Sequence, residues 1–392
     1  MTSVYGAGIR QRQPMLARQA TSPLPERMQG MIANAEAEIA KPVAGVTTDG
    51  KVIPGLFPIA KTGVSTTNIK DAVEGFLAVL TKQQREAATF KLGADAWRRW
   101  SNIHPFLMRH GALMEAMSDL QRQAGLDILR ATLSAGGFKW AGDIMKLNET
   151  IGEITGSWLE YGEWVYWISV FGTPSSTEPW GWQIDGHHLN LNCFILGDQV
   201  VMTPLFMGSE PVHAHTGKYA GTRVLEAEES RGLEFMLGLS SEQQGRTALG
   251  GSGHPMDGRI QGGAFRDNLV LPYEGISGLD LTGGQREQLL SLVEVYVGRM
   301  QSGHAALKMD EVKRHLDQTY FAWAGETRDG SVYYYRVHSP VILIEFDHQR
   351  GVAFDNETPS RQHIHTIVRT PNGNDYGLDL LAQHYAHHHT PK

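Results

Sequence analysis

The stretch from Trp180 to His215 constrains this 392-residue chain most, because it joins strand-forming sequence to many proton-carrying groups. It reads WGWQIDGHHLNLNCFILGDQVVMTPLFMGSEPVHAH. Apolar side chains recur at every second position of His188–Leu196, which is the period of a strand with two different faces. Gly197-Asp198 then separates two strand-like runs and predicts a hairpin turn. The stretch therefore predicts a pair of antiparallel strands that carries imidazole and carboxylate groups.

The remaining patterns predict an α+β fold with mostly antiparallel sheet and an N-terminal helical subdomain. Residues 1–65 contain six prolines and predict an extended N-terminal arm with one short helix. Residues 66–160 have helical periodicity, and residues 161–392 return to strand periodicity and contain the His-rich stretch. We therefore predict an arm, a helical subdomain and an α+β domain, and we see no internal repeat in the sequence.

Three capping boxes mark the predicted helix starts, since a hydroxyl and an amide three residues apart satisfy free backbone N–H groups. They are Thr81-x-x-Gln84, Ser118-x-x-Gln121 and Thr282-x-x-Gln285. Gly136-Gly137 is expected to end the helix that Ser118 begins.

Composition excludes several classes of protein. The formal net charge of −7 argues against general nucleic-acid binding, which needs a basic surface. The sequence contains no run of 18 or more apolar residues and therefore predicts no membrane span. Cys193 is the only cysteine, so an intrachain disulfide and a cysteine-based metal site are excluded. We expect a cytoplasmic protein that acts on a small molecule.

Both ends of the chain carry features with two interpretations. Arg10, Arg12 and Arg18 lie in an acid-free start, which is typical of a transit peptide or of an arm that wraps a second subunit. The proline-rich arm suggests a homodimer with exchanged N-termini. The terminal His387-His388-His389 resembles a tag fragment or a solvated tail, and we assign it no role.

Two H-x-H motifs are candidate metal ligands: His213-Ala-His215 and His363-Ile-His365. Residues i and i+2 of a strand point to the same face, so both imidazoles of a motif can reach one ion. The alternative is a pair of surface or hydrogen-bonded imidazoles, because 17 histidines produce this spacing easily by chance.

His187 and His188 point to opposite faces of a regular strand, so at most one would serve a site unless Gly186 forms a bulge. Glu210 follows in a Gly-Ser-Glu-Pro corner, where a carboxylate can be a metal ligand, a general base or a helix cap.

Further acids lie near the C-terminus. Glu345 and Asp347 share one face of a predicted strand, where a salt-bridged edge is the alternative to a functional role. Asp375 and Tyr376 lie in a predicted turn that can present them to a cleft. The chain has neither a G-x-S-x-G elbow nor an H-E-x-x-H motif, so catalysis would rest on imidazole, carboxylate and metal-bound water.

Several long motifs resemble the DUF3500 family over about Phe76 to Tyr385. They are PWGWQIDGHHLNLN, VMTPLFMGSEP, YYRVHSPVILIEFDHQ, HIHTIVRTPNGNDYGLDLLAQHY and the upstream RWSNIHPFLMRHGALMEAMSDLQRQAGLDILRATLSAGG. The family label says that its function is unknown, so the resemblance implies no activity. The residues that fit the family pattern most firmly are Gly186-His187-His188, Glu210-Pro211, His365, the Asp375-Tyr376-Gly377-x-Asp379 segment and His384. His213 and His363 fit the family pattern less firmly.

These observations lead to a predicted metal site made of His187, His188, Glu210 and His365, with zinc, iron, manganese and copper all open. Glu210, His187, Asp375 and Tyr376 are the candidate catalytic residues. A metal-dependent hydrolase is our first expectation, because a bound ion activates water. The alternatives are a metal-dependent oxidoreductase, a metal-free His/carboxylate enzyme and a non-catalytic small-molecule-binding protein.

Overall fold

A computed structural model describes residues 4–10, 26–102, 109–249 and 260–388. Within these ranges lie ten α-helices and a twelve-stranded, mostly antiparallel sheet, and helices precede the long strands along the chain. The predicted α+β class is therefore confirmed. Arg12, Arg18, His389 and most of the glycine-rich stretch 250–263 lie outside the described residues.

The helices are α1 Glu26–Ile39, α2 Thr67–Val79, α3 Lys82–Ala88, α4 Asp119–Thr132, α5 Ala135–Thr155, α6 Glu226–Leu237, α7 Ser241–Thr247, α8 Gly283–Val297, α9 Ser302–Arg314 and α10 Leu378–His388. Among the described residues, no helix combines the length and the apolar character that a membrane crossing requires.

The strands are β1 Thr89–Phe90, β2 Ala112–Leu113, β3 Tyr166–Phe171, β4 Trp180–Gly186, β5 Leu189–Leu196, β6 Gln199–Val201, β7 Leu205–Ser209, β8 Ile276–Ser277, β9 Tyr320–Gly325, β10 Tyr333–His338, β11 Leu343–Gln349 and β12 Ser360–Arg369. Their order in the sheet is β1-β3-β4-β5-β7-β12-β11-β10-β9-β8, with β2 beside β3 and β6 beside β5. Gly197-Asp198 forms the predicted hairpin turn, since Leu196 pairs with Gln199.

The two faces of the sheet differ in chemistry. One face packs on the helices and holds the main core, which includes Leu189, Leu205, Ile344, Ile364 and Val368. The alternate residues of the same strands point to the other face, because the side-chain period of a strand is two. That second face is buried and polar, and it carries Gln183, Asp185, Asn190, Asn192, Glu345, Asp347, His363, His365 and Arg369.

Loops cover the polar face and donate hydrogen bonds to several of its groups. The Glu345 carboxylate accepts hydrogen bonds from the backbone N–H of Gln261 at 2.9 Å and of Gly262 at 2.7 Å. The Asp185 carboxylate accepts one from the backbone N–H of Ser101 at 3.1 Å. Buried polar groups need such partners, since an unpaired one costs about 1–3 kcal/mol.

The sheet consists of two halves with the same construction. Reading inward from either edge, the antiparallel order β3-β4-β5-β7 matches β9-β10-β11-β12, so β7 and β12 meet at the centre. Each half also has a short strand beside its outer strand, namely β2 with β3 and β8 with β9. An approximate twofold axis between β7 and β12 therefore relates the halves.

Hydrogen bonds of two glutamine pairs repeat in detail between the halves. In the first half, Gln121 Nε2 donates to Gln84 Oε1 at 2.8 Å and to the carbonyl of Val79 at 2.9 Å. In the second half, Gln285 Nε2 donates to Gln243 Oε1 at 2.9 Å and to the carbonyl of Gly238 at 3.0 Å. All four glutamines also complete capping boxes.

Two glycines mark the same close approach in each half. Gly111 has φ +97° and Gly275 has φ +94°, and both precede the short strand of their half. A Cβ at Gly111 would lie 2.8 Å from the carbonyl oxygen of Ile168 in β3, and one at Gly275 would lie 2.0 Å from that of Phe321 in β9. The strand order is thus repeated in the structure, although no internal repeat is visible in the sequence. The halves share geometry and patterning, but Tyr166–Leu196 and its counterpart 319–349 have almost no identical residues.

Helix α5 lies in the segment that was predicted to be helical, but its start differs from the prediction. Ser134 caps it, accepting a hydrogen bond from Gly137 N at 3.0 Å, so Gly136-Gly137 lies in its first turn instead of ending α4. A Cβ at Gly137 would lie 2.3 Å from the carbonyl oxygen of Arg299, which explains why a glycine stands inside a helix.

The predicted division at residues 65 and 160 stays a prediction. Strands β1 and β2 come from the segment 66–160 and pair with β3 in the common sheet. The N-terminal segment also contacts the rest of the chain, since Thr47 N donates to the carbonyl of Leu269 at 2.9 Å.

The repeated glutamine bridges predict matched losses of stability. We expect Gln121→Ala and Gln285→Ala each to lower the free energy of unfolding by about 1–2 kcal/mol, because each removes a cap and two further hydrogen bonds. Urea denaturation of the two variants measures this. Gln123→Ala, on the exposed side of α4, is the control and should stay within about 0.5 kcal/mol of the parent. A loss in only one half would contradict the equivalence of the two bridges.

Candidate metal centre

Three imidazoles meet on the polar face of the sheet, where β12 and the β4–β5 turn approach each other. The Nε2 atoms of His188, His363 and His365 form a triangle with sides of 3.1 Å (188–365), 3.3 Å (188–363) and 2.9 Å (363–365). We call these residues the His triad. They are a group that could hold a metal ion.

A two-residue turn places His188 in the triad. Gly186 pairs with Leu189, so His187 and His188 form the whole connection between β4 and β5. His188 has φ +64°, a left-handed conformation that turns its side chain away from the regular strand alternation. Gly186 must be a glycine here, because a Cβ would lie 2.2 Å from the ring of Tyr166.

Strand β12 supplies the other two imidazoles, which lie two residues apart on one face. Gly208 in β7 leaves room for them: a Cβ there would lie 2.9 Å from His365 Cδ2 and 3.0 Å from His188 Cδ2. The backbone N–H of Gly208 also donates to the carbonyl of His188 at 2.8 Å, which fixes the turn against β7. Gly208 thus leaves room for the imidazole rings and also holds the β4–β5 turn against β7.

His187 supports the triad from behind. Its ring stacks on that of His188 with centroids 3.8 Å apart and 29° between the planes. Its Nδ1 lies 2.8 Å from Asn148 Oδ1, and Asn148 Nδ2 donates to the carbonyl of Gly162 at 2.8 Å. His187 and His188 therefore both lie in the turn with stacked rings, whereas the sequence predicted opposite faces of a regular strand.

Glu210 lies behind His363. Its carboxylate accepts hydrogen bonds from three consecutive backbone N–H groups, those of Val352, Ala353 and Phe354, at 3.0 to 3.3 Å. Glu210 Oε2 lies 3.7 Å from His363 Nδ1, which itself lies 2.7 Å from the carbonyl oxygen of Arg350. A carbonyl only accepts, so Nδ1 carries the proton and His363 Nε2 presents its lone pair to the triad.

Asp347 is the acid beside the triad on the polar face. It stands directly opposite His365 in the β11–β12 register, where Cβ atoms of facing residues are about 4.5–5.5 Å apart. Gln349 Nε2 donates to Asp347 Oδ2 at 2.6 Å and orients the carboxylate.

The three rings of the triad differ in burial. His188 and His363 are buried, while His365 is half-buried and offers the access. Burial and the neighbouring His363 and His188 lower the pKa of His365 well below its usual value. Neutral imidazoles are the form that binds metal ions.

Asp375 and Tyr376 belong to a separate buried charge network. Arg369 Nη1 donates to Asp375 Oδ2 at 3.0 Å and to Asp267 Oδ1 at 2.9 Å. Tyr376 Oη donates to Asp267 Oδ1 at 3.1 Å and accepts from Trp100 Nε1 at 2.9 Å. Burial and then Asp267 raise the pKa of Tyr376 well above its usual value, so the phenol stays protonated.

The network and the triad share a face but are separated by aromatic rings. Phe206 packs edge-on against His365 at 5.1 Å, and its ring is tilted by 38° against that of Trp100 at 6.3 Å between centroids. Burial acts to raise the pKa of Asp267, but Arg369 and Arg98 outweigh it and hold that pKa below its usual value. The network therefore pairs opposite charges, which is a structural arrangement.

The triangle has the size that a tetrahedral ion requires. Zinc binds imidazole nitrogen at about 2.0–2.1 Å, so two such ligands of one tetrahedral ion stand about 3.3 Å apart. The sides of the triad, 2.9 to 3.3 Å, are close to this value. Three protein ligands with one face open is the arrangement of catalytic zinc sites.

The structure thus brings together His188 and His365 of the predicted metal set, with His187 and Glu210 behind the ligand rings. His363, which the sequence analysis ranked below them, completes the triad. The other H-x-H motif lies elsewhere: His213 and His215 have ring centroids 4.0 Å apart, and His215 packs against Tyr5. The H-x-H spacing was the signal for His363, but it did not separate one motif from the other.

Comparison with known proteins gives a single result about family. Neither the curated proteins nor the solved structures include one that matches this chain. The model of a family described as "Protein of unknown function (DUF3500)" matches residues 62–378. This range contains the two halves of the sheet and the whole His triad, and the chain belongs to the DUF3500 family.

Proposed function

We propose that this protein is a metal-dependent enzyme, and that it hydrolyses a small molecule with water activated at the His triad. The observation that carries the proposal is the spacing of three imidazole Nε2 atoms at 2.9 to 3.3 Å. A divalent ion held there would activate water as a nucleophile near neutral pH.

In this proposal His188, His363 and His365 are the metal ligands. Glu210 supports His363 from its Nδ1 side instead of binding the ion, because its carboxylate is already held by three backbone N–H groups. A carboxylate or carbonyl behind a ligating histidine fixes the ring and raises its basicity. His187 positions His188 by stacking.

Asp347 is the group that we propose takes the proton from the attacking water. It faces His365 across the β11–β12 pair, and Gln349 fixes its orientation. A general base must lie within reach of the proton that it removes. Asp375 and Tyr376, which the sequence offered as catalytic, have a different proposed role: they hold the C-terminal loop through Arg369 and Asp267.

The ligand set favours hydrolysis over iron-dependent oxidation. Non-haem Fe²⁺ oxygenases use two histidines and a carboxylate, whereas three histidines with an open position suit zinc. The second candidate is a copper-dependent oxidoreductase, which the all-imidazole set also suits. The identity of the ion distinguishes the two.

Metal analysis tests the ligands. We expect protein purified without a tag to contain about one divalent ion per chain, since each chain has one His triad to bind it. His188→Ala, His363→Ala and His365→Ala should each abolish this content, as measured by inductively coupled plasma mass spectrometry. His213→Ala and His215→Ala remove imidazoles from the other H-x-H motif and should retain the ion.

A full metal content in the three triad variants would refute the ligand assignment. If the protein takes up no ion, the metal-free acid–base enzyme and the binding protein remain as the candidate functions. Stoichiometric copper would favour the oxidoreductase.

Gly208→Ala tests the packing around the ligands. Its Cβ would push against His365, His188 and the carbonyl oxygen of Ile364 at 2.8 Å, so the rings must move. We expect metal affinity to fall roughly 10–100-fold, which is typical of changes next to ligands. Isothermal titration with Zn²⁺ measures it. Gly142→Ala in α5 has nothing within 4 Å, so it should bind Zn²⁺ like the parent, and an equal loss in both variants would speak against the packing argument.

An activated ester tests the reaction class. We expect the protein to hydrolyse 4-nitrophenyl acetate in a reaction that dipicolinate abolishes, because the chelator removes the ion. Asp347→Asn should keep the ion and slow the reaction by about 10²–10⁴-fold. His213→Ala is the control and should leave the rate unchanged. Hydrolysis that resists the chelator would count against a metal-activated water, and an unchanged rate in Asp347→Asn would remove that residue from the mechanism.

A further inference from the structure

A second site lies on the other side of the sheet. A cavity of about 280 Å³ opens between helix α9, the β5–β6 hairpin and the centre of the sheet. Leu205 of β7 and Val368 of β12 form its floor. These residues alternate with Phe206 and with the triad positions of β12, so the cavity and the His triad are on opposite faces.

The walls of the cavity are mostly apolar. Phe57, Met202, Met300 and Leu380 contribute side chains from four different segments. Methionine side chains adapt to ligands of different shape because they are unbranched and polarizable. An apolar lining with a few polar groups is typical of small-molecule sites.

His304 is the polar group that the fold does not use. It lines the cavity from α9 and is only 5% exposed, and its Nε2 has no hydrogen-bond partner among the described residues. Burial lowers its pKa despite the opposing effect of Asp198, so the ring is neutral at neutral pH. An unpaired buried nitrogen costs free energy, which a ligand that bonds to it would recover.

The Thr203–Thr370 hydroxyl pair adds a second polar group at the cavity. The two Oγ1 atoms lie 2.7 Å apart, and both residues are buried and line the cavity. One hydroxyl hydrogen satisfies the contact between them. The other has no acceptor among the hydrogen bonds of the described residues, so the pair can donate to a ligand oxygen.

Charges near the cavity are paired at its rim. Lys308 Nζ lies 2.6 Å from Glu311 Oε2 and donates to the carbonyl of Val341 at 2.9 Å. The remaining rim charges, Asp310 and Arg314, are exposed and of opposite sign. The cavity therefore offers no unpaired buried charge to an ionic ligand.

We propose that this cavity binds a neutral, mainly apolar molecule of roughly eight to ten carbon atoms with one hydroxyl or carbonyl group, given that a cavity of about 150 Å³ accommodates benzene. The polar group of the ligand bonds to His304 or to the threonine pair, and its hydrocarbon part packs on Leu205, Val368 and Met300. The site is independent of the metal chemistry proposed for the other face.

Binding of 1-octanol to the full chain tests the proposal, with ¹³C-methyl methionine as the reporter. We expect saturable shifts of the Met202 and Met300 methyl signals, while Met145 in α5, away from the cavity, stays unchanged. Octanoate has the same chain with a charged end and should bind at least tenfold more weakly. Absence of a saturable shift up to the solubility limit of octanol, or equal binding of octanoate, would overturn the proposal.

Two variants test the lining from opposite walls. His304→Leu should weaken octanol binding about tenfold, since it removes the unpaired Nε2 and changes the side-chain volume little. Met300→Trp should fill the cavity and abolish the Met202 shift. This variant tests the site independently if His304→Leu does not fold. His213→Leu makes the same exchange elsewhere and should bind octanol like the parent. Unchanged binding in Met300→Trp would place the ligand outside this cavity.

Discussion

The pairing of β7 with β12 is the contact on which the rest of this structure depends. It joins the two halves of the sheet into one layer, with Thr366 opposite Met207 and His365 opposite Gly208. Because the strands are antiparallel, the start of β12 lies beside the end of β7 and the β4–β5 turn. The imidazoles of β12 thus reach His188, which is 175 residues away from His363 in the chain. No helix or loop has to move to assemble the triad.

This arrangement buries a polar face, and ion pairs and hydrogen bonds stabilise many of its groups. Arg369 interacts with Asp267 and Asp375, and Arg98 contacts Asp267 from the covering loop at 2.8 Å. Charges removed from water are tolerated only when they are paired and hydrogen-bonded. Burial on this face, together with the neighbouring His363 and His188, lowers the pKa of His365 well below its usual value and so favours the neutral ring that binds metal ions.

The sequence indicated much of this fold because its signals are local. Capping boxes, Gly197-Asp198 and strand alternation depend on neighbouring residues, and these elements appear where they were expected. The start of helix α5 was not predicted because Gly137 is required by a close contact with Arg299, which is distant in the sequence. His363 and His213 could not be ranked by spacing alone: the first lies on a central strand, whereas the second makes only an isolated bridge with Arg223. The matching strand order of the two halves could not be predicted because the corresponding segments have almost no identical residues.

The matching strand order of the two halves has a consequence for the His triad. His188 lies in the first half and His363 and His365 in the second, while the corresponding turn of the second half reads Ser339-Pro340-Val341. Neither half contains more than two of the three rings. The complete triad therefore exists only because β7 pairs with β12, and a change that separated these two strands would divide it.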